Sequence, residues 1–118
     1  PKNKLDQVVA TPRAIQDLDY WRTSGNQKKL DRINALIANC METPFSGIGV
    51  PEQLRFQDQD TYSRRIDKTH RLVYRVVGKQ LVIISARFHY ENSYFKLARL
   101  ALIIAWINLA STSQSLGS

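Results

Sequence analysis

The chain has one cysteine, Cys40, and that scarcity sets the first constraint. A lone thiol forms no intrachain disulfide and supplies no multi-cysteine metal cage. Cys40 lies in an apolar helical pattern, so a buried core thiol is expected rather than a nucleophile. Histidine is also scarce, with His70 and His89 the only two. There is no His-Glu-x-x-His run and no paired acidic motif, so no metal site and no cofactor are expected. Acidic side chains are few: 10 stand against 17 lysines and arginines, for a formal net charge of +7. That balance does not set a fold, but it favours a polyanion, chiefly nucleic acid, or an acidic partner. No signal peptide is read at the start, because Lys2, Lys4 and Asp6 are not followed by a long apolar run. The single thiol and the missing leader fit a reducing, cytoplasmic setting. The most apolar stretch, Leu97 to Ile107, is interrupted only by Arg99 and falls short of the roughly 20 residues needed to span a bilayer. A buried or oligomer-forming helix is expected there, and no membrane span.

At 118 residues the chain fits one domain. Leu5 to Ala10 reads as a short first strand. Thr11-Pro12 reads as an N-cap with proline at the first helical position, where its missing N–H costs nothing. Ile15, Leu18 and Trp21 place a helix over Pro12 to Thr23. Ser24-Gly25-Asn26 is a turn. Leu30, Ile33, Ile37 and Cys40 place a second helix over Gln27 to Met41. Thr43 to Pro51 is a Pro/Gly-rich loop. Beyond it the period shifts to near two, and strands are expected over Tyr62 to Ile66, Arg71 to Val77 and Gln80 to Phe88. Gly78-Lys79 would close the last hairpin. The expected architecture is α+β: two N-terminal helices packed on an antiparallel sheet, with the first strand added to it. Residues 1–90 form the body. Residues 91–118 form an apolar, helical extension with a polar end.

Chemistry-bearing side chains gather between Glu52 and Tyr90. If the polyanion is RNA, metal-free cleavage needs a base for the 2′-hydroxyl proton and an acid for the leaving 5′-oxygen. It also needs cations for the charge building on the phosphoryl oxygens. Glu52 follows the Pro/Gly loop at the mouth of the sheet, with Arg55 three residues on. Arg64 and Arg65 are consecutive on one strand, so only one of them can face a given site. Arg71 opens the next strand, and His89 and Tyr90 close the last. Taken singly, each is ordinary: a surface carboxylate, strand arginines, a structural histidine, a packing tyrosine. His70 reads as structural, part of the turn before Arg71. Only the joint arrangement points to a site.

That arrangement resembles a known family. Thr43-Pro44-Phe45-Ser46-Gly47-Ile48-Gly49-Val50-Pro51-Glu52-Gln53-Leu54 is similar to the TPFxGxGxPExL segment of the YoeB (Txe) toxins. Tyr62-Ser63-Arg64-Arg65-Ile66 is similar to their [WY]SRRI, His70-Arg71-Leu72-Val73-Tyr74 to their HRLVY, and Arg87-Phe88-His89-Tyr90 to their R[YF]HY. Asp19-Tyr20-Trp21 and Arg32-Ile33-Asn34-Ala35-Leu36-Ile37 also fit. The resemblance covers residues 5 to 90. It implies a RelE-like toxin of a bacterial type II toxin–antitoxin system, which binds the ribosome and rRNA, cleaves mRNA in the A site without metal, and is disabled by a YefM-like antitoxin. It also makes a homodimer plausible. By this resemblance Glu52 is the general base, Arg65 and Arg71 stabilise phosphate, His89 is the general acid, and Tyr90 is a further catalytic residue. Arg55 takes the place of a family lysine, and with Arg64 it is expected to contact RNA.

Three departures stand out. The chain runs on for 28 residues past Tyr90, whereas family members usually stop at, or just after, the His-Tyr pair. Ala10 replaces a common tryptophan, and Pro12 an acidic residue. Val50 replaces a frequent basic residue. A second class of function remains open on the same fold: a non-catalytic binder, such as the RelE-fold toxins that inhibit DNA gyrase. The acid–base pair argues against it. The extension could drive dimerisation or dock where an antitoxin would.

Overall fold

Thr11 and Pro12 open helix α1 (Pro12–Thr23) as their sequence predicts. The Thr11 hydroxyl accepts from the Ala14 amide at 3.1 Å, while donating to the Ile84 carbonyl at 2.8 Å. One side chain thus caps the helix and ties its start to the sheet. Helix α2 (Gln27–Glu42) is capped by Asn26, whose side chain accepts from the Lys29 amide. Ile33, Leu36 and Cys40 recur at helical spacing and are fully buried. Burying an isoleucine or leucine this way contributes about 1.5–3 kcal/mol. The same burial pushes the Cys40 thiol pKa up, which leaves it an unreactive core residue.

The computed structural model describes residues 3–54, 60–88 and 101–109. Its strands are β1 (Gln7–Ala10), β2 (Glu52–Gln53), β3 (Thr61–Arg65), β4 (Arg71–Val77) and β5 (Gln80–Ser85), in the sheet order β1-β5-β4-β3-β2. Strands β2 to β5 are antiparallel, but β1 runs parallel to β5. The expected antiparallel sheet with the first strand added to it is observed, and the direction of that added strand, left open by the sequence, is parallel. No tight turn joins β1 to β5; both helices and three strands lie between them in sequence, and such a long connection permits a parallel neighbour. The two-residue β2 was not foreseen, since it follows a loop with no alternating pattern.

The last strand is shorter than the sequence leads us to expect. Expected to reach Phe88, β5 stops at Ser85 because α1 captures the next residue. The Ala86 amide donates to Asp17 Oδ2 at 2.9 Å, and Trp21 Nε1 donates to the Ala86 carbonyl at 2.8 Å. With both polar groups of Ala86 bound to helix side chains, the strand ladder cannot continue.

The pleat sorts the sheet into two faces. Leu72, Tyr74, Leu81 and Ile83 join Ala14, Trp21, Ile33, Leu36 and Cys40 in one core against the helices. Ser63, Arg65, Arg71 and Val73 occupy the other face. Residues 101–109 are helical, and their large apolar side chains, including Leu102, Ile104 and Trp106, are exposed. Among the described residues no helix is long and apolar enough to cross a membrane.

Candidate active site

The loop before Glu52 is shaped from inside. Arg64 is completely buried. Its Nε donates to the Tyr74 hydroxyl at 3.0 Å. Nη1 donates to the Asn39 side chain and the Ile48 carbonyl, and Nη2 to the Thr43 and Ser46 carbonyls at 2.7 and 2.8 Å. All five guanidinium N–H groups therefore have acceptors. The Tyr74 hydroxyl in turn donates to the Pro44 carbonyl at 2.7 Å, and burial pushes its pKa up. This corrects the expectation that Arg64 contacts RNA: its charged end is spent inside, holding the loop that delivers Glu52. Consecutive strand residues point opposite ways, so burying Arg64 exposes Arg65.

The loop's tight approach explains two of its glycines. A Cβ on Gly49, at φ +81°, would lie 2.7 Å from Leu36 Cδ2, and one on Gly47 would overlap the Asn39 side chain. Val50 also has positive φ, 52°, which a β-branched residue tolerates poorly. Its side chain is half-exposed, so little packing offsets the strain. Val50→Asn is expected to stabilise the protein by about 1 kcal/mol, since asparagine accepts the left-handed region. That corresponds to a rise of roughly 4–8 °C in Tm. A thermal melt checks it, and a lower Tm would contradict the strain argument.

Register brings three expected site residues to one face. Glu52 pairs with Ser63 across β2 and β3, Ser63 lies two residues before Arg65, and Arg65 pairs with Arg71 across β3 and β4. Arg71 is buried, and its Nε donates to Ser63 Oγ at 2.9 Å. Its Nη2 lies 3.5 Å from Glu52 Oε2, an ion pair too long to be a sound hydrogen bond. Among the described residues that buried Nη2 has no hydrogen-bond partner. An unmet buried donor is costly and calls for an acceptor that arrives from outside. Two arginines directly opposite each other repel as well, and an anion between them would relieve that repulsion.

Ser63 was not singled out from sequence. Its signal was its place two residues before Arg65, on the same face. The β3–β4 turn that carries both arginines is held by Asp67, which accepts from the Thr69 and His70 amides at 2.8 and 2.6 Å and pairs with Lys29 at 2.7 Å. Partial burial raises the Asp67 pKa, but Lys29 and the two amides outweigh it and hold the carboxyl below its ordinary value. Arg55, His89 and Tyr90 lie outside the described residues.

The mixed sheet thus carries two helices on one face and gathers a carboxylate and two arginines on the other. The chain is similar to a YoeB/ParE toxin from Agrobacterium tumefaciens, with a TM-score of 0.66 and 39% identity over 72% of this chain and 100% of that one. It is similar to the YoeB of Staphylococcus aureus, solved as a dimer (TM-score 0.65, 34% identity) and with YefM (0.63, 35%), each over 74% of this chain and 99% of that one. A toxin YoeB of Streptomyces coelicolor is 44% identical over 84 residues, covering 71% of this chain and 99% of that protein. Residues 10–90 match the YoeB-like toxin of bacterial type II toxin–antitoxin systems, and the chain belongs to that family. Residues 91–118 lie beyond the matched span.

Proposed function

We propose that this toxin is a ribosome-dependent, metal-independent endoribonuclease that cleaves mRNA in the ribosomal A site. The observation that carries the proposal is the Glu52 carboxylate set 3.5 Å from a buried Arg71 Nη2 that lacks a hydrogen-bond partner among the described residues. Arg65 stands opposite Arg71 on the neighbouring strand. A phosphodiester bound there gives Arg71 its missing acceptor and separates the two guanidinium charges. Glu52 takes the proton from the 2′-hydroxyl, whose oxygen attacks the adjacent phosphorus. Arg65 and Arg71 stabilise the added negative charge. The P–O5′ bond breaks, leaving a cyclic phosphate, and His89 gives its proton to the departing 5′-oxygen. Tyr90 and Arg55 complete the contacts to the nucleotide. The enzyme acts in the cytoplasm, where message and ribosome meet. A YefM-like antitoxin silences it, and it pairs as a homodimer; both readings are supported by the S. aureus relative. The extension after Tyr90 is a separate element of the protein.

Primer extension on ribosome-bound message tests the reaction. New 5′ ends at A-site codons are expected with the wild-type protein, unchanged by EDTA at concentrations that leave the ribosomes intact, and absent when ribosomes are omitted. Intact message in the complete reaction would overturn the proposal.

A further inference from the structure

We infer that His70 is a positioning residue for this site, setting where the chain leaves the sheet toward His89; the inference rests on the nuclease reading. Phe88 has φ +64°, a left-handed conformation rare for a bulky residue. Both of its backbone polar groups are held by consecutive residues, His70 just before β4 and Arg71 at its start. The Phe88 amide donates to His70 Nδ1 at 2.8 Å, and its carbonyl accepts from the Arg71 amide at 3.2 Å. His70 is fixed in its turn. Its own amide donates to Asp67 Oδ1 at 2.6 Å, and its carbonyl accepts from the Ile66 amide at 2.9 Å.

The imidazole also stands edge-on to Trp21, 4.8 Å between ring centres, and Trp21 holds the Ala86 carbonyl. Trp21 and His70 therefore fasten the chain at Ala86 and at Phe88, two residues apart. The following residue is His89, the proposed acid. The Arg71 that binds the Phe88 carbonyl through its backbone is the residue proposed to grip the phosphate through its side chain. One two-residue step, His70-Arg71, thus links the phosphate site to the origin of the acid-bearing segment. A packing aromatic would not need an acceptor nitrogen. Here Nδ1 accepts from the Phe88 amide.

Two variants separate positioning from packing. His70→Phe keeps an aromatic ring against Trp21 and removes the acceptor. His70→Asn loses the ring and puts an amide oxygen near the place of Nδ1. His70→Phe is expected to lower kcat for ribosome-bound cleavage by about 10- to 100-fold, the range for a small misplacement of a catalytic group. KM should change less than twofold, and His70→Asn should recover most of the loss. Hydrogen exchange of the Phe88 amide should speed up in His70→Phe and stay near wild type in His70→Asn. Wild-type kcat in His70→Phe, beside an inactive Glu52→Ala control, would overturn the inference alone. So would equal impairment of both His70 variants with folded spectra, or unaltered Phe88 exchange in His70→Phe. If Glu52→Ala and His89→Ala both cleave normally, the acid–base assignment fails and the inference goes with it, whereas the nuclease reading itself fails only if the wild-type protein leaves the message intact.

Discussion

Arg64→Ala is expected to destabilise the protein by about 3–5 kcal/mol, the cost typical of breaking a buried charged network by removing one partner. Typical domains have only about 5–15 kcal/mol in total. The reason lies in the acceptors left behind. Thr43, Ser46 and Ile48 offer backbone carbonyls to the guanidinium, joined by the Asn39 side chain and the Tyr74 hydroxyl. Three of these are main-chain carbonyls, which no substitution removes, so in Arg64→Ala they would stay buried and unpaired or draw in water. Alanine also leaves a cavity where the largest fully buried side chain among the described residues stood. Arg64→Lys should fall between, since an ammonium has three donors and no planar fork. Thermal or urea unfolding measures the loss. At roughly 4–8 °C per kcal/mol, a Tm within 2 °C of wild type would refute the role assigned to Arg64.

Much of this architecture was legible in the sequence, and the exceptions share a cause. Helix α1 announces itself through Thr11-Pro12 at its start, and α2 through Leu30, Ile33, Ile37 and Cys40 at helical spacing after the Ser24-Gly25-Asn26 turn. Local rules suffice there. The alternation of Arg64 and Arg65 showed that only one could face the site, but not which. That choice depends on the carbonyls of a loop some 20 residues away in sequence, brought close only by folding. Strand β5 read too long for a similar reason: Ala86 and Phe88 carry its alternation onward, and only the tertiary bonds from Asp17 and Trp21 to Ala86 cut it short. The parallel direction of β1 is likewise a property of topology, since four residues of strand carry no mark of direction. The convergence of Glu52, Arg65 and Arg71 needed register, which a spacing pattern implies once the hairpin is known.

Glu52→Ala is expected to lower the rate of message cleavage by ~10²–10⁴, the usual loss on removing a general base. That equals about 3–5 kcal/mol of activation barrier. The same substitution should hardly affect stability. The Glu52 side chain is 52% exposed, and its contact with Arg71 is a 3.5 Å ion pair at the rim. Such pairs contribute about 0–1 kcal/mol. Arg71 also keeps its bond to Ser63 when the carboxylate is gone. Glu52→Gln refines the test, because it preserves size and polarity while removing the basic oxygen. If Glu52 takes the 2′ proton, the Gln and Ala variants should be similarly slow. If Glu52 only orients Arg71, the Gln variant should stay near wild type, because its amide oxygen can still accept from Nη2. Salt separates binding from chemistry. Ribosome affinity that rests on arginine and lysine contacts to phosphate weakens as ionic strength rises, in Glu52→Ala as in wild type. Single-turnover cleavage of pre-bound message should remain slow at every salt concentration. A Glu52→Ala protein that cuts pre-bound message at the wild-type rate would remove the base from the mechanism and leave the arginine pair as an anion-binding surface.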